Sequence, residues 1–347
     1  TARLTGKPGV CLTTLGPGAA NAFVGVAHAY LDRSPVLVLT AQSTRRLIGR
    51  HTHQVLDLQA IFRPVTKQTI ELTATDVGQS VRHALHLAVA GRPGPVHIGV
   101  SSETANSPAE HSLESSSQTS EVSETSEASA FSSTPSAQDL ARARALLSRA
   151  RRPVLVVGLG LEPERPYVAL RALAEAANAT VIVTPKAKGA LPDDHPLAAG
   201  TIGLTSDDPV YEILDEADGV IAVGFDVVEL VKPWEHPAPL LWIAPWANED
   251  PPIPAAWEHV GSMTPVLQQL ADTAFSTASD WGAVRVAVYR QKLAEQALPS
   301  PAPGRMLPQA VLYAIRRNVP RETLITTDVG SHKILAALTW PAYVPNR

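Results

Sequence analysis

The chain has 347 residues, 45% of them hydrophobic and 18% charged, an ordinary composition for a folded protein of about two or three domains. Its net charge of −4 and pI near 6.3 leave no basic field for nucleic acid or an anionic membrane. The single cysteine, Cys11, excludes an internal disulfide and reads as a buried small residue; no run approaches the roughly eighteen apolar residues of a membrane span, so the default expectation is cytoplasmic.

Alternating apolar runs predict strands over 10–14, 36–40, 69–72 and 96–100, with helices over 21–30, 55–61 and 76–90. That alternation argues a parallel sheet with crossover helices. The first strand breaks at Gly16-Pro17-Gly18 and reopens as a small-residue helix. The glycines admit a close ligand, and the helix end behind them offers free N–H groups, although the same tripeptide also serves as a plain turn. His51 and His53 are two apart with no third ligand at metal spacing, so no metal site is expected there.

Residues 106–136, rich in serine and glutamate, read as a solvated linker that cannot bury enough apolar surface to order itself. A second α/β domain is expected over 137–275, with strands at 154–157, 180–183, 220–223 and 240–244 and helices at 137–150, 168–177, 209–217 and 265–275. Its Gly158-Leu159-Gly160 is a weak nucleotide signature, lacking the third glycine and a suitably placed acidic residue. Trp234, Trp242, Trp246 and Trp257 read as packing around proline-rich loops. A connector over 276–304 carries a helix at 281–296. The last segment, 305–347, is expected to run helix 308–318, strand 323–326, then a glycine loop into helix 333–338, a geometry suited to an anion.

Three groups of residues carry a resemblance. Thr5-Gly6-Lys7-Pro8-Gly9-Val10, then Gly16-Pro17-Gly18 with Asn21, Gly25, Ala29, Asp32, Pro35 and Gln42, resembles the pyrimidine-binding domain of thiamine-diphosphate enzymes of the acetolactate synthase family. Gly91-Arg92-Pro93-Gly94-Pro95-Val96 and Thr327-Asp328-Val329-Gly330-Ser331-His332 match that family in order behind it. The resemblance implies an α/β thiamine-diphosphate-binding fold: a partial, parallel-sheet pyrimidine domain over 1–105, a central Rossmann-like domain, and the start of a diphosphate-binding domain. It also implies decarboxylation of pyruvate and its carboligation to a second pyruvate, with thiamine diphosphate and Mg2+ as cofactors, in a homodimer or homotetramer whose active site lies between subunits.

Carried over residue by residue, Pro17 and Asn21 would line the pyrimidine side, Gln42 would reach into the site, and Val329, Gly330, Ser331 and His332 would face the diphosphate. His53 and Gln54, followed by Asp57, look like the substrate-side loop of flavin-free, catabolic acetolactate synthases, where a His and an amide would orient the pyruvate carboxylate; a loop-structuring role is the alternative. Flavin-containing members carry a basic, aspartate-rich run where this chain has Val227-Val228-Glu229-Leu230-Val231-Lys232-Pro233-Trp234, which argues against FAD. The family's catalytic glutamate would fall upstream of Arg3 and its metal-holding segment beyond Arg347, so the resemblance implies a fragment, with no catalytic carboxylate or metal ligand to assign within it. Such a fragment is expected neither to bind thiamine diphosphate tightly nor to decarboxylate pyruvate. Another 2-keto-acid enzyme of the same fold, similar to benzoylformate decarboxylase or sulfoacetaldehyde acetyltransferase, and a non-catalytic α/β assembly subunit remain as alternatives.

Overall fold

A computed structural model describes residues 2–50, 54–108, 134–249, 253–296 and 306–345, which fall into two compact units divided near residue 126. Most of the serine- and glutamate-rich stretch lies outside the described residues.

The first unit runs α1 (Ala2–Thr5), β1 (Gly9–Thr13), α2 (Pro17–Leu31), β2 (Val36–Gln42), α3 (Leu58–Phe62), β3 (Gln68–Glu71), α4 (Val77–Val89), β4 (Val96–Ser101) and α5 (Ser102–Asn106). Its four strands are all parallel, in the order β1-β2-β4-β3. Successive side chains of a strand point to opposite faces, so β2 sends Leu37 to the α4 side with Ala84, Ala88 and Ile98, and Val38 to the α2 and α3 side with Val26, Leu58 and Phe62. Helix α2 starts at Pro17, four residues before its expected start, because proline is pre-set for the first helical turn and loses no helical hydrogen bond there. The edge strand β1 is the exception to burial: Val10 and Leu12 are 65% and 77% exposed, and Cys11, expected inside, is half-buried.

The second unit runs α6 (Ala137–Leu147), β5 (Pro153–Val157), α7 (Tyr167–Ala176), β6 (Thr180–Val183), β7 (Ala198–Thr201), α8 (Tyr211–Asp215), β8 (Gly219–Val223), β9 (Leu240–Ala244), β10 (Trp257–Val260), α9 (Met263–Ala271), α10 (Ala283–Gln296), α11 (Pro308–Arg317) and α12 (Ser331–Thr339). Six parallel strands lie in the order β10-β9-β8-β5-β6-β7, which is the doubly wound order with its reversal point between β5 and β8. Both faces are covered, so the strands are apolar throughout: Leu155, Val157, Ile221 and Ile243 pack under α6, α7 and α9, while Val154, Val156, Val220 and Trp242 pack under α8 and α10. Trp242, Trp246 and Trp257 are buried, as packing requires.

Two differences from the sequence reading matter. Residues 323–326 form no strand, because they have no ladder partner among the described residues. Conversely, Ala198–Thr201 is a strand despite its small side chains, held by pairing with β6 at the sheet edge.

Candidate functional site

In the first unit the functional candidates gather at the carboxyl edge of the sheet. Thr13 of β1 stands opposite Thr40 of β2, so the Gly-Pro-Gly loop and Gln42 leave the sheet on the same edge. Gly16 adopts φ 61 and ψ −119, and a Cβ there would stand 2.8 Å from Gln54 Cβ and 2.9 Å from the Gln54 carbonyl oxygen. Only glycine fits, and Gln54 is thereby seated directly against the loop. Gln54 itself has φ 58 and is exposed. Asn21 lies one helical turn beyond Pro17 on the same face and is also exposed. No side chain caps α2, so the first-turn N–H groups behind Pro17 remain available to a polar ligand.

Gln42 is only 7% exposed, and its amide is committed: Nε2 donates to the Leu56 carbonyl at 3.4 Å, and Oε1 accepts from the Ser43 N–H at 2.9 Å. It therefore holds the 54–57 loop beside the glycine loop. Asp57 caps α3 by accepting from the Ala60 N–H at 2.9 Å, a structural task. The structure thus brings Pro17, Asn21, Gln42 and Gln54 to one edge; His53 lies outside the described residues. Beneath them His97 of β4 is fully buried, its Nε2 2.9 Å from Thr40 Oγ1 and its ring stacked on Phe62 with centroids 4.5 Å apart. Burial pushes this imidazole down to about 4, so it is neutral at physiological pH.

In the second unit, Gly330 precedes α12 with φ 146, a conformation suited to glycine. Val329 is 83% exposed, Ser331 and His332 are exposed, and no side chain caps this nine-residue helix. A Cβ on Gly330 would meet the His332 ring at 2.9 Å, so the imidazole folds back over the glycine. The Asp328 carboxylate accepts from the Val329 N–H at 2.7 Å and fixes the approach to the loop. Open N–H groups, a hydroxyl, an imidazole and the positive end of a helix dipole suit a phosphate oxygen. A separate cavity of about 500 Å3 is lined by Leu335, Leu338 and Thr339 of the same helix, together with Tyr289 and Arg290. Arg290 is spent on the carbonyls of Asp193, His195 and Ala198. Among the described residues, no group of three His, Cys, Asp or Glu side chains is arranged to hold a metal.

A feature that motif reading missed lies at the reversal point of the six-stranded sheet. Glu229 is a half-buried residue whose carboxylate accepts from the Leu159 N–H at 2.9 Å, the Thr184 hydroxyl and the Asp226 N–H at 3.4 Å. Burial raises it to about 7, with its hydrogen bonds pulling the other way. The signal in the sequence was Asp226 and Glu229 three apart, the spacing of a capping box, which they form around the turn Val227–Glu229.

Comparison with known proteins places this geometry. Residues 1–61 match the family described as the thiamine pyrophosphate enzyme N-terminal TPP binding domain, and residues 140–270 match the thiamine pyrophosphate enzyme central domain. The chain belongs to the thiamine pyrophosphate enzyme family. Within that family it is 34% identical over 64% of its length to a probable acetolactate synthase large subunit of Methanocaldococcus jannaschii, of which it covers 37%. It is 29% identical over 97% of its length to the acetolactate synthase large subunit of Corynebacterium glutamicum, covering 54% of that protein. Against the acetolactate synthase isozyme 3 large subunit of Escherichia coli it is 30% identical over its whole length, covering 61%. The chain thus spans between about a third and three fifths of these relatives. The glycine loop and Gln42 lie inside the first matched region and the doubly wound sheet inside the second.

Proposed function

We propose that this chain is part of an acetolactate synthase, which decarboxylates pyruvate and joins the product to a second pyruvate. The observation that carries the reading is the seating of Gln54 against Gly16, with Gln42 holding the Leu56 carbonyl of the same loop, at the carboxyl edge of a parallel sheet, in a region that matches a TPP-binding domain. The relatives named above are acetolactate synthase large subunits, which supports the same reading.

Bound thiamine diphosphate would supply the electron sink that decarboxylation needs. The chain's own residues bind and orient. Pro17 and Asn21 offer a surface for the pyrimidine, and the open first turn of α12 with Ser331 and His332 offers donors to the diphosphate. Gln54, and His53 beside it in sequence, would hold the pyruvate carboxylate by hydrogen bonds. His97, buried and neutral, supports the floor through Thr40 and takes no proton at neutral pH. Mg2+ would accompany the diphosphate, and a homodimer or homotetramer is the assembly proposed. The domain limits proposed are 1–105, 137–275 and 305–347, with a linker over 106–136 and a connector over 276–304.

The test is product analysis with the protein as encoded in its genome, supplied with pyruvate, thiamine diphosphate and Mg2+. Acetolactate is the expected product. Acetaldehyde alone, or turnover only with a different 2-keto acid, would move the chain to another enzyme of the same family.

A further inference from the structure

A doubly wound sheet binds dinucleotides where its strand order reverses, with the pyrophosphate on the glycine loop and the N-terminus of the following helix. The order β10-β9-β8-β5-β6-β7 puts that crevice between β5 and β8, just above Gly158-Leu159-Gly160. Here the crevice is filled from within. The glycine loop is bonded to the end of β8 itself: Gly158 N–H donates to the Val223 carbonyl at 3.0 Å and Gly160 N–H to the Gly224 carbonyl at 2.7 Å. A Cβ at Gly160 would meet the Gly224 oxygen and Trp246, both at 2.9 Å, and one at Gly158 would strike the Glu229 carboxylate. The glycines serve this internal contact and leave no gap for a pyrophosphate.

The anion-binding groups of the same edge are also taken. Leu159 N–H and the Thr184 hydroxyl point at Glu229. Helix α7 begins only at Tyr167, well beyond Gly160 in the chain, so its N-terminus does not follow directly on the glycine loop. The N-terminus of α9 is held by Glu164, which accepts from the N–H groups of Met263 and Thr264 at 2.9 and 2.6 Å and from the Ser262 hydroxyl at 3.0 Å. After β7, Asp208 accepts from the N–H groups of Leu204 and Thr205, each at 2.9 Å.

From this arrangement we infer that the central domain fills its own crevice: the Glu229 carboxyl group occupies the phosphate position of the dinucleotide crevice, and the domain takes neither FAD nor another dinucleotide. The inference rests on the central sheet alone and is independent of the reaction proposed above. The residues present do not fit a flavin dinucleotide, because its pyrophosphate would need the Leu159 N–H and the Thr184 hydroxyl that Glu229 already holds.

The test uses the full chain in three arms. Titration with FAD, NAD and ADP, followed by flavin fluorescence and equilibrium dialysis, is expected to show no saturable binding below about 1 mM; saturable micromolar binding of any of them overturns the inference. The Glu229→Ala variant vacates the cradle, so its melting temperature should fall by several degrees and recover in part with tens of millimolar formate, which should leave the original protein unmoved. An unchanged melting temperature in that variant would show that the carboxylate holds nothing. If Glu229→Ala does not fold, Glu229→Gln, which keeps the shape and the hydrogen-bonding oxygen, must fold and still exclude the nucleotides; flavin binding by the Gln variant at micromolar concentration overturns the inference.

Discussion

Gly16 shows how much one residue settles. Its φ of 61 and the approach of Gln54 to 2.8 Å from any Cβ placed there make Gly16→Ala a backbone and a packing fault together. The variant should lose about 1–3 kcal/mol of stability in the first unit, read by urea unfolding followed by circular dichroism; an unaltered midpoint would mean that the loop yields freely. Glu229 makes a different claim, on pH. Its folded carboxyl titrates near about 7 against 4.5 when free, so the folded state holds the extra proton between these values. Stability from this group is therefore greatest below about 4.5 and falls as pH rises to about 7. His97 acts in the opposite sense: lowered from 6.5 to about 4, it favours the folded state as pH rises through that window. In Glu229→Gln the falling contribution should vanish. All six tryptophans lie in the second unit, so tryptophan fluorescence follows the unit that holds Glu229. Relative to the original protein the variant should gain stability steadily between pH 5 and 7; parallel curves would contradict the assignment.

At the scale of elements, α8 and α10 are tied by Arg285, which reaches Glu212 at 2.7 Å and Glu216 at 2.8 Å while only 14% exposed. Those carboxylates hold the guanidinium above its ordinary value. Arg285→Ala leaves Glu216 without this partner and Glu212 with Lys292 alone, and should cost about 1 kcal/mol, part of it recovered at high salt, which screens the two carboxylates; a loss below about 0.3 kcal/mol would mark the cluster as solvated decoration. Elements of this second unit were legible where the physics is local. Val154–Val157 and Leu240–Ala244 announce buried parallel strands because both faces are covered and every residue is apolar. Ala198–Thr201 was hidden because alanine and glycine carry no strand preference; pairing with β6 decides it. Residues 323–326 failed for the converse reason, since β-branched threonine and isoleucine favour a strand but cannot supply a partner. In the candidate site, Gly16, Pro17 and Gln42 were readable as a pattern, whereas Glu229 was not, because its partners Leu159 and Thr184 lie 70 and 45 residues away.

For the whole molecule, ligand linkage gives the broadest test. If the protein as encoded binds thiamine diphosphate with Mg2+, a concentration one hundred times the dissociation constant should stabilise it by about 2.7 kcal/mol, visible as a higher melting temperature. FAD at the same concentration should leave it unmoved. A shift with FAD and none with thiamine diphosphate would reverse both readings at once. The filled crevice reaches further, into how the chain comes to be folded in a cell. If Glu229 completes the crevice, the domain needs no flavin to close it. Cells starved of riboflavin should therefore accumulate this protein, folded and soluble, in the same yield as well-fed ones.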